Sequence, residues 1–219
     1  MIAKKLISKE IQTLTLETTG GEALSIMQEF HLSHLAVVED NKLLGIISEE
    51  DIWNMYDEGN KIKSICDKIE MFCMPLGRDV FEIVKYMDEH KLTLLPIMGD
   101  GKYFGAITQQ SVIEALASIV AIQESGGVII LEMNKKDYSM SEISQIVESN
   151  NLKILSAYVT DVDEKNNIKL TLKLNKIDIA AVIQTFERYK YNVAASYNYS
   201  ENTDNLSDRF DSLMRYLNP

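Results

Sequence analysis

The chain has 219 residues, 46% hydrophobic and 25% charged, and its 22 Lys and Arg against 33 Asp and Glu leave a formal net charge of −11. That is ordinary globular composition with room for one large or two small cores, and its acidity speaks against nucleic acid and anionic membranes, which are bound largely through Lys and Arg. No run approaches the ~18 consecutive apolar residues of a membrane span, and Met1 to Leu16 mixes charged and apolar residues without a signal-peptide core, so a soluble, untargeted, cytoplasmic protein with small-molecule or protein partners is expected.

In chain order, Thr19 and Glu22 have the spacing of a helix-capping box. The helix they open carries Ala23, Leu24, Met27, Phe30 and Leu32 at the three-to-four spacing of a buried stripe. Leu35 to Val38 then reads as a strand, Glu39 to Lys42 as a turn, Leu43 to Ile47 as a second strand, and Ser48 as the start of another helix. Sixty residues on, the same order recurs without a gap. Asp79 and Glu82 repeat the cap spacing, Ile83, Val84, Met87 and Leu92 repeat the stripe, and Gly99-Asp100-Gly101 supplies the hairpin turn. Between Leu35–Ile52 and Leu95–Val112, five of 18 positions are identical: Leu35/Leu95, Asp40/Asp100, Lys42/Lys102, Gly45/Gly105 and Ile47/Ile107. Each unit is therefore strand, helix, hairpin, helix, and the apolar positions are core.

Beyond the repeats, Ser111 to Glu124 is apolar on more than one face through Val112, Ile113, Leu116, Ile119, Val120 and Ile122. It is expected to be a joining helix buried partly against a second copy of the chain. Val128 to Met133 reads as a strand, Ser141 to Ser149 as a helix, and Leu152 to Asp161 as a strand. Asp163 to Asn167 reads as a polar turn, Ile168 to Leu174 as a strand, Asp178 to Lys190 as a helix and Tyr191 to Tyr199 as a strand. This order is the split β-α-β of ferredoxin-like folds. Leu206, Phe210, Leu213, Met214 and Leu217 make a final amphipathic stripe that folds back on its own domain or docks on a partner. The expected domains are 1–60, 61–123 and 126–199, followed by a C-terminal helix over 200–219.

Gly45-Ile-Ile-Ser48-Glu-Glu-Asp51-Ile52 and Gly105-Ala-Ile-Thr108-Gln-Gln-Ser111-Val112 resemble the signature G-h-x-[ST]-x-x-D-h of the cystathionine-beta-synthase (CBS) domain family. Two copies at a fixed offset resemble its tandem arrangement, the Bateman module, over about Met1 to Gln123. The βαββαβ order that follows looks like an ACT domain, a family known for binding amino acids or mediating dimerisation. The whole layout is similar to that of the acetoin-utilisation accessory proteins. The fold class expected is thus α+β, a CBS pair plus an ACT-like domain. The turn Asn134 to Ser139 lacks the glycine usual in amino-acid-binding ACT domains, which speaks against such a site here.

The resemblance implies two clefts that hold adenosine compounds. The hydroxyls of Ser48 and Thr108 would help hold a phosphate or other ligand group, Asp51 would accept from the ribose, and Leu35, Ala36, Pro96 and Ile97 would flank the adenine. Ser48 and Asp51 equally have cap spacing, and the two roles are compatible. Ser111 stands where the signature has Asp, so the Ser48/Asp51 cleft is expected to be the better ribose site and the Thr108/Ser111 cleft weak or empty. Residues 1–120 carry 11 basic and 19 acidic side chains, and Glu49 and Glu50 adjoin the phosphate end of the first cleft. AMP or S-adenosylmethionine is therefore favoured over ATP.

Cys66 and Cys73 are expected as free thiols, and neither they nor His31, His34 and His90 have metal-ligand spacing. No catalytic motif is legible. The reading is a non-catalytic, homodimeric regulatory sensor acting through a partner protein, with no cofactor required. A ligand-free scaffold is the alternative.

Overall fold

The computed structural model describes residues 3–162 and 166–199. The chain divides into two compact units, Met1–Leu116 and Ala117–Pro219.

In the first unit a short 3-10 turn, Ala3–Leu6, precedes α1 (Gly20–Phe30), the hairpin β1 (His34–Glu39) and β2 (Lys42–Ser48), and the five-residue α2 (Glu49–Trp53). The second copy follows as β3 (Met74–Pro75), α3 (Val80–Glu89), β4 (Leu94–Gly99), β5 (Lys102–Thr108) and α4 (Gln109–Ile119). Both hairpins turn through paired positive-φ residues, Asp40-Asn41 and Asp100-Gly101. That geometry matches the right-handed twist of the flanking strands. Thr19 and Glu22 form the reciprocal cap: Glu22 N donates to Thr19 Oγ1 at 3.2 Å and Thr19 N to Glu22 Oε2 at 2.9 Å. The second copy keeps half of it. Asp79 Oδ1 accepts from Phe81 N and Glu82 N, whereas the Glu82 carboxylate goes to Arg78 Nη1 at 3.4 Å. Two carboxylates at one cap repel, and the neighbouring guanidinium takes the spare one.

A two-stranded hairpin is not stable alone, and each is completed by the leading segment of its own repeat and crossed by that of the other. Leu14 pairs in parallel with Val37, and Met74 with Ile97 sixty residues later. Across the repeats, Ser8 pairs with Ala106 of the second hairpin and Glu70 with Ile46 of the first. These crossings set the role of the two repeated glycines. A Cβ on Gly45 would lie 2.4 Å from the Glu70 carbonyl oxygen, and one on Gly105 would lie 2.7 Å from that of Ser8. Both residues also hold positive φ, +147° and +154°, a conformation other residues adopt only with strain. One apolar core spans both copies, with Leu14, Leu35, Ile47 and Ile52 from the first packed in the same cluster as Ile83, Leu94, Leu95 and Ile107 from the second.

Helix α4 ends five residues sooner than the apolar pattern suggests. Ala121 turns left-handed at φ 54° and Ile122 N closes back on Ala117 O at 3.0 Å, the geometry that terminates helices. Ile113 on the helix is 59% exposed and Ile122 beyond it 66%.

The second unit is a four-stranded antiparallel sheet with strand order β7-β8-β6-β9. Its elements are β6 (Gly126–Asn134), α5 (Met140–Ser149), β7 (Ile154–Val162), β8 (Asn167–Leu174), α6 (Ala180–Arg188) and β9 (Asn192–Tyr199). This is the ferredoxin-like arrangement. Ile129, Leu131, Leu170 and Leu172 on one face of the sheet pack with Ile143, Val147, Val182 and Phe186 of the helices. The turn after β6 is a short 3-10 helix, Lys135–Asp137, capped by Asn134, and Ser139 caps α5. The polar turn expected at 163–167 falls mostly, and the C-terminal helix expected at 200–219 entirely, outside the described residues.

Gly45→Ala should lower stability by about 3 kcal/mol, from backbone strain and displacement of the crossing strand. Gly77→Ala is the matched control, since Gly77 also has positive φ (+101°) but nothing within 4 Å of its Cβ position. It should cost about 1 kcal/mol. Urea unfolding of both variants measures the difference, and equal losses would remove the crossing strand as the reason for Gly45.

Candidate functional site

The two signature segments end β2 and β5 and begin α2 and α4. At the first, Ser48 caps α2 and Asp51 answers it. Asp51 N donates to Ser48 Oγ at 3.1 Å, Ser48 N donates to Asp51 Oδ2 at 3.2 Å, and the Ser48 hydroxyl donates to the same Oδ2. Both side chains remain half-buried rather than sealed. At the second, Ser111 N donates to Thr108 Oγ1 and Thr108 N to Ser111 Oγ, each at 3.2 Å, while the Ser111 hydroxyl turns to Thr108 O at 2.9 Å. A hydroxyl thus replaces the carboxylate without loss of the cap.

Around Thr108 and Ser111 lies a cleft of about 1010 Å³, whose lining includes Glu10, His31, Thr93, Gln110 and Glu114. Its charge differs from that of the first copy. Glu49, Glu50 and Asp51 follow Ser48, whereas Gln109, Gln110 and Ser111 follow Thr108, so three acids in one copy become three neutral residues in the other.

Leu35, Ala36, Pro96 and Ile97, expected to flank an adenine, are buried in the strands, with Leu35 at 0% exposure. Leu35, Ala36 and Ile97 belong to the core cluster that the two copies share. The structure therefore brings Ser48 together with Asp51 and Thr108 with Ser111.

A junction between the copies joins residues that motif reasoning missed. Ser33 N donates to Thr93 Oγ1 at 3.0 Å, Thr93 N donates to His34 Nδ1 at 3.3 Å, and the Thr93 hydroxyl lies 3.0 Å from that same nitrogen. Nδ1 is therefore an acceptor, which puts the ring proton on Nε2 of a neutral imidazole. Burial holds the His34 pKa below its ordinary 6.5, against the opposing pull of Asp51 and Glu70. Thr93 is the sixty-residue counterpart of Ser33, so equivalent positions of the two copies meet here, while Leu94 stands where the first copy has His34. Elsewhere, Cys66 is exposed and Cys73 half-buried, both as free thiols. Among the described residues no cluster of His, Cys, Asp and Glu could hold a metal, and no helix is long and apolar enough to cross a membrane.

The sequence pattern of the CBS domain matches twice, over residues 3–52 and 62–118. These segments are CBS domains, and the first unit is a tandem CBS pair, a class whose members are commonly regulatory ligand-binding modules. Curated relatives include the inosine-5'-monophosphate dehydrogenase of Methanocaldococcus jannaschii, 22% identical over 176 residues that make up 80% of this chain and 34% of that protein. The enzyme of the same name from Staphylococcus epidermidis is 28% identical over 117 residues, 52% of this chain and 24% of that one. The chain thus spans a quarter to a third of the length of these relatives. Similar solved structures include a CBS domain pair/ACT domain protein from Thermotoga maritima, at 19% identity and TM-score 0.47, covering 54% of this chain and 98% of that one. Another is a putative acetoin utilization protein from Vibrio cholerae, at 20% identity and TM-score 0.48, covering 56% and 95%.

The His34 environment carries a pH signature. A histidine whose folded pKa lies below its unfolded value leaves stability intact above about 6.5 and removes it as pH falls toward the folded pKa, because the unfolded chain then binds the extra proton. Melting temperature should fall between pH 7.5 and 5.5, and His34→Gln should flatten that slope. A slope unchanged in the variant would assign the acid sensitivity to other groups.

Proposed function

We propose that this protein is a non-catalytic regulatory sensor whose CBS pair takes an adenosine-containing ligand at Ser48 and Asp51. The observation that carries the reading is the Ser48/Asp51 cap, which sets a hydroxyl and a carboxylate side by side, half-buried rather than sealed, at the end of β2. A ribose hydroxyl donating to Asp51 would make a charge-assisted bond. Glu49 and Glu50 beside the cap favour AMP or, better, the cationic S-adenosylmethionine over ATP. At Thr108/Ser111 the signature position holds a neutral acceptor in place of the carboxylate, which makes this the weaker ribose site. The second unit, read as ACT-like, adds or transmits a signal within a homodimer, and the output passes through a partner protein.

The Ser48 and Asp51 side chains satisfy each other without any ligand, and that observation favours a second reading, a ligand-free dimeric scaffold. Calorimetric and thermal-shift titration with AMP, S-adenosylmethionine and ATP separates the two. A ligand at 100 times its dissociation constant should stabilise the protein by about 2.7 kcal/mol, and no shift with any of them would leave the scaffold.

Two substitutions locate the site. Asp51→Asn should weaken binding by about tenfold, the difference between a charged and a neutral acceptor. Ser111→Asp should strengthen the second cleft by a similar factor. Asp79→Ala, which removes a cap far from Ser48 in sequence, controls for the ~1 kcal/mol a lost cap costs in stability. Undiminished affinity in Asp51→Asn would remove Asp51 from the site.

A further inference from the structure

Ser33 and Thr93, where equivalent positions of the two CBS copies meet, hold the helices that follow the two signatures in the same way. Glu49 N, the first amide of α2, donates to Ser33 O at 2.9 Å, and Gln109 N, the first of α4, donates to Thr93 O at 3.0 Å. Between them Ser33 N donates to Thr93 Oγ1 at 3.0 Å. Three hydrogen bonds therefore link the start of one helix to the start of the other.

The return bond breaks the symmetry. Thr93 N finds its acceptor on the His34 ring, at Nδ1, 3.3 Å away, whereas the second copy has a fully buried leucine, Leu94, at the matching position. That acceptor exists only while the ring is neutral, because both nitrogens of a charged imidazole are donors. A proton on Nδ1 would face the Thr93 N–H donor to donor and turn instead to Thr93 Oγ1, 3.0 Å from the same nitrogen. Coupling between two places needs an element with two discrete arrangements, and the neutral and charged rings supply them.

We propose that His34 is a proton-operated switch between the two CBS copies: protonation at Nδ1 releases the Thr93 N–H, and the shift of Thr93 loosens Gln109 at the start of α4. The groups around the ring set where it operates. Asp51 of α2 and Glu70, in the segment that leads into the second copy, face it and favour the proton, while burial opposes it and is the larger effect. From β2 its register partner is Ser48, and ahead of β4 it meets Thr93, both uncharged. The ring thus stays neutral at pH 7 and takes up its proton below its ordinary 6.5. Once charged, it stands near the Asp51 carboxylate that closes the first cap and withdraws an acceptor from the second copy. One proton acts on the two signatures in opposite senses. The switch requires no ligand in either cleft, so it stands or falls apart from the adenosine reading.

The test is NMR of the full chain without ligand, recorded between about pH 7.5 and 5, the range in which an imidazole titrates. The amide shifts of Thr93 and Gln109 should follow a single midpoint, the one shown by the His34 ring protons. Across it the hydrogen-exchange protection of the Gln109 amide should fall about fivefold, the equivalent of one hydrogen bond. His34→Gln, whose side-chain oxygen still accepts from Thr93 N but does not titrate, should leave both amides flat and Gln109 protected throughout. His34→Leu, which gives the first copy the residue of the second, should leave Gln109 poorly protected at every pH. A Gln109 amide that stays still while the His34 ring titrates would overturn the proposal, as would a Gln109 titration that persists in His34→Gln.

Discussion

Everything in the CBS pair depends on an exchange of strands between the two repeats. A bare hairpin cannot bury both faces, so each recruits a segment from its own leader, Leu14 or Met74, and is crossed by a residue of the other repeat's leader, Glu70 or Ser8. The glycines at 45 and 105 are the places where that second backbone comes too near for any side chain. Because the leaders run through both hairpins, the two cores fuse into one, and the caps that carry Ser48 and Thr108 are held at the ends of strands β2 and β5, which that core fixes.

Local chemistry was legible in the sequence and long-range pairing was not. The hairpin turns, the Thr19/Glu22 cap and the sixty-residue offset could all be read because Asp, Asn, Gly, Thr and Ser act on the backbone within a few residues of themselves. The pairing of Ser8 with Ala106 joins positions 98 apart through backbone groups alone and leaves no mark on side-chain identity. The Asp79 cap was half legible. Its spacing was right, but the electrostatics of a second carboxylate and a preceding arginine decided where Glu82 went.

For the candidate site, the signature residues Ser48, Asp51, Thr108 and Ser111 were legible and lie in adjoining pairs. The four apolar residues expected to flank a ligand were visible as apolar, but whether an apolar strand residue faces a cleft or a core is set by what packs on it, which a single sequence does not state. Leu35 and Ile97 went to the core. His34 was missed for a different reason: its partner Thr93 is the sixty-residue counterpart of the neighbouring Ser33, but a repeat offset aligns equivalent positions and does not say that they touch. The C-terminal sheet showed the same asymmetry, its order readable from alternation while its uncovered face emerges only once both helices are seen on one side.

The closed ring of hydrogen bonds between Ser48 and Asp51 has a consequence for any guest that would use them. A newcomer does not fill a vacancy but exchanges one bond for another, so its gain is a small difference between similar terms, of the order of 1 kcal/mol for each bond swapped. A site of that kind would bind with modest strength and release quickly. It would follow the level of an abundant metabolite rather than hold a scarce one.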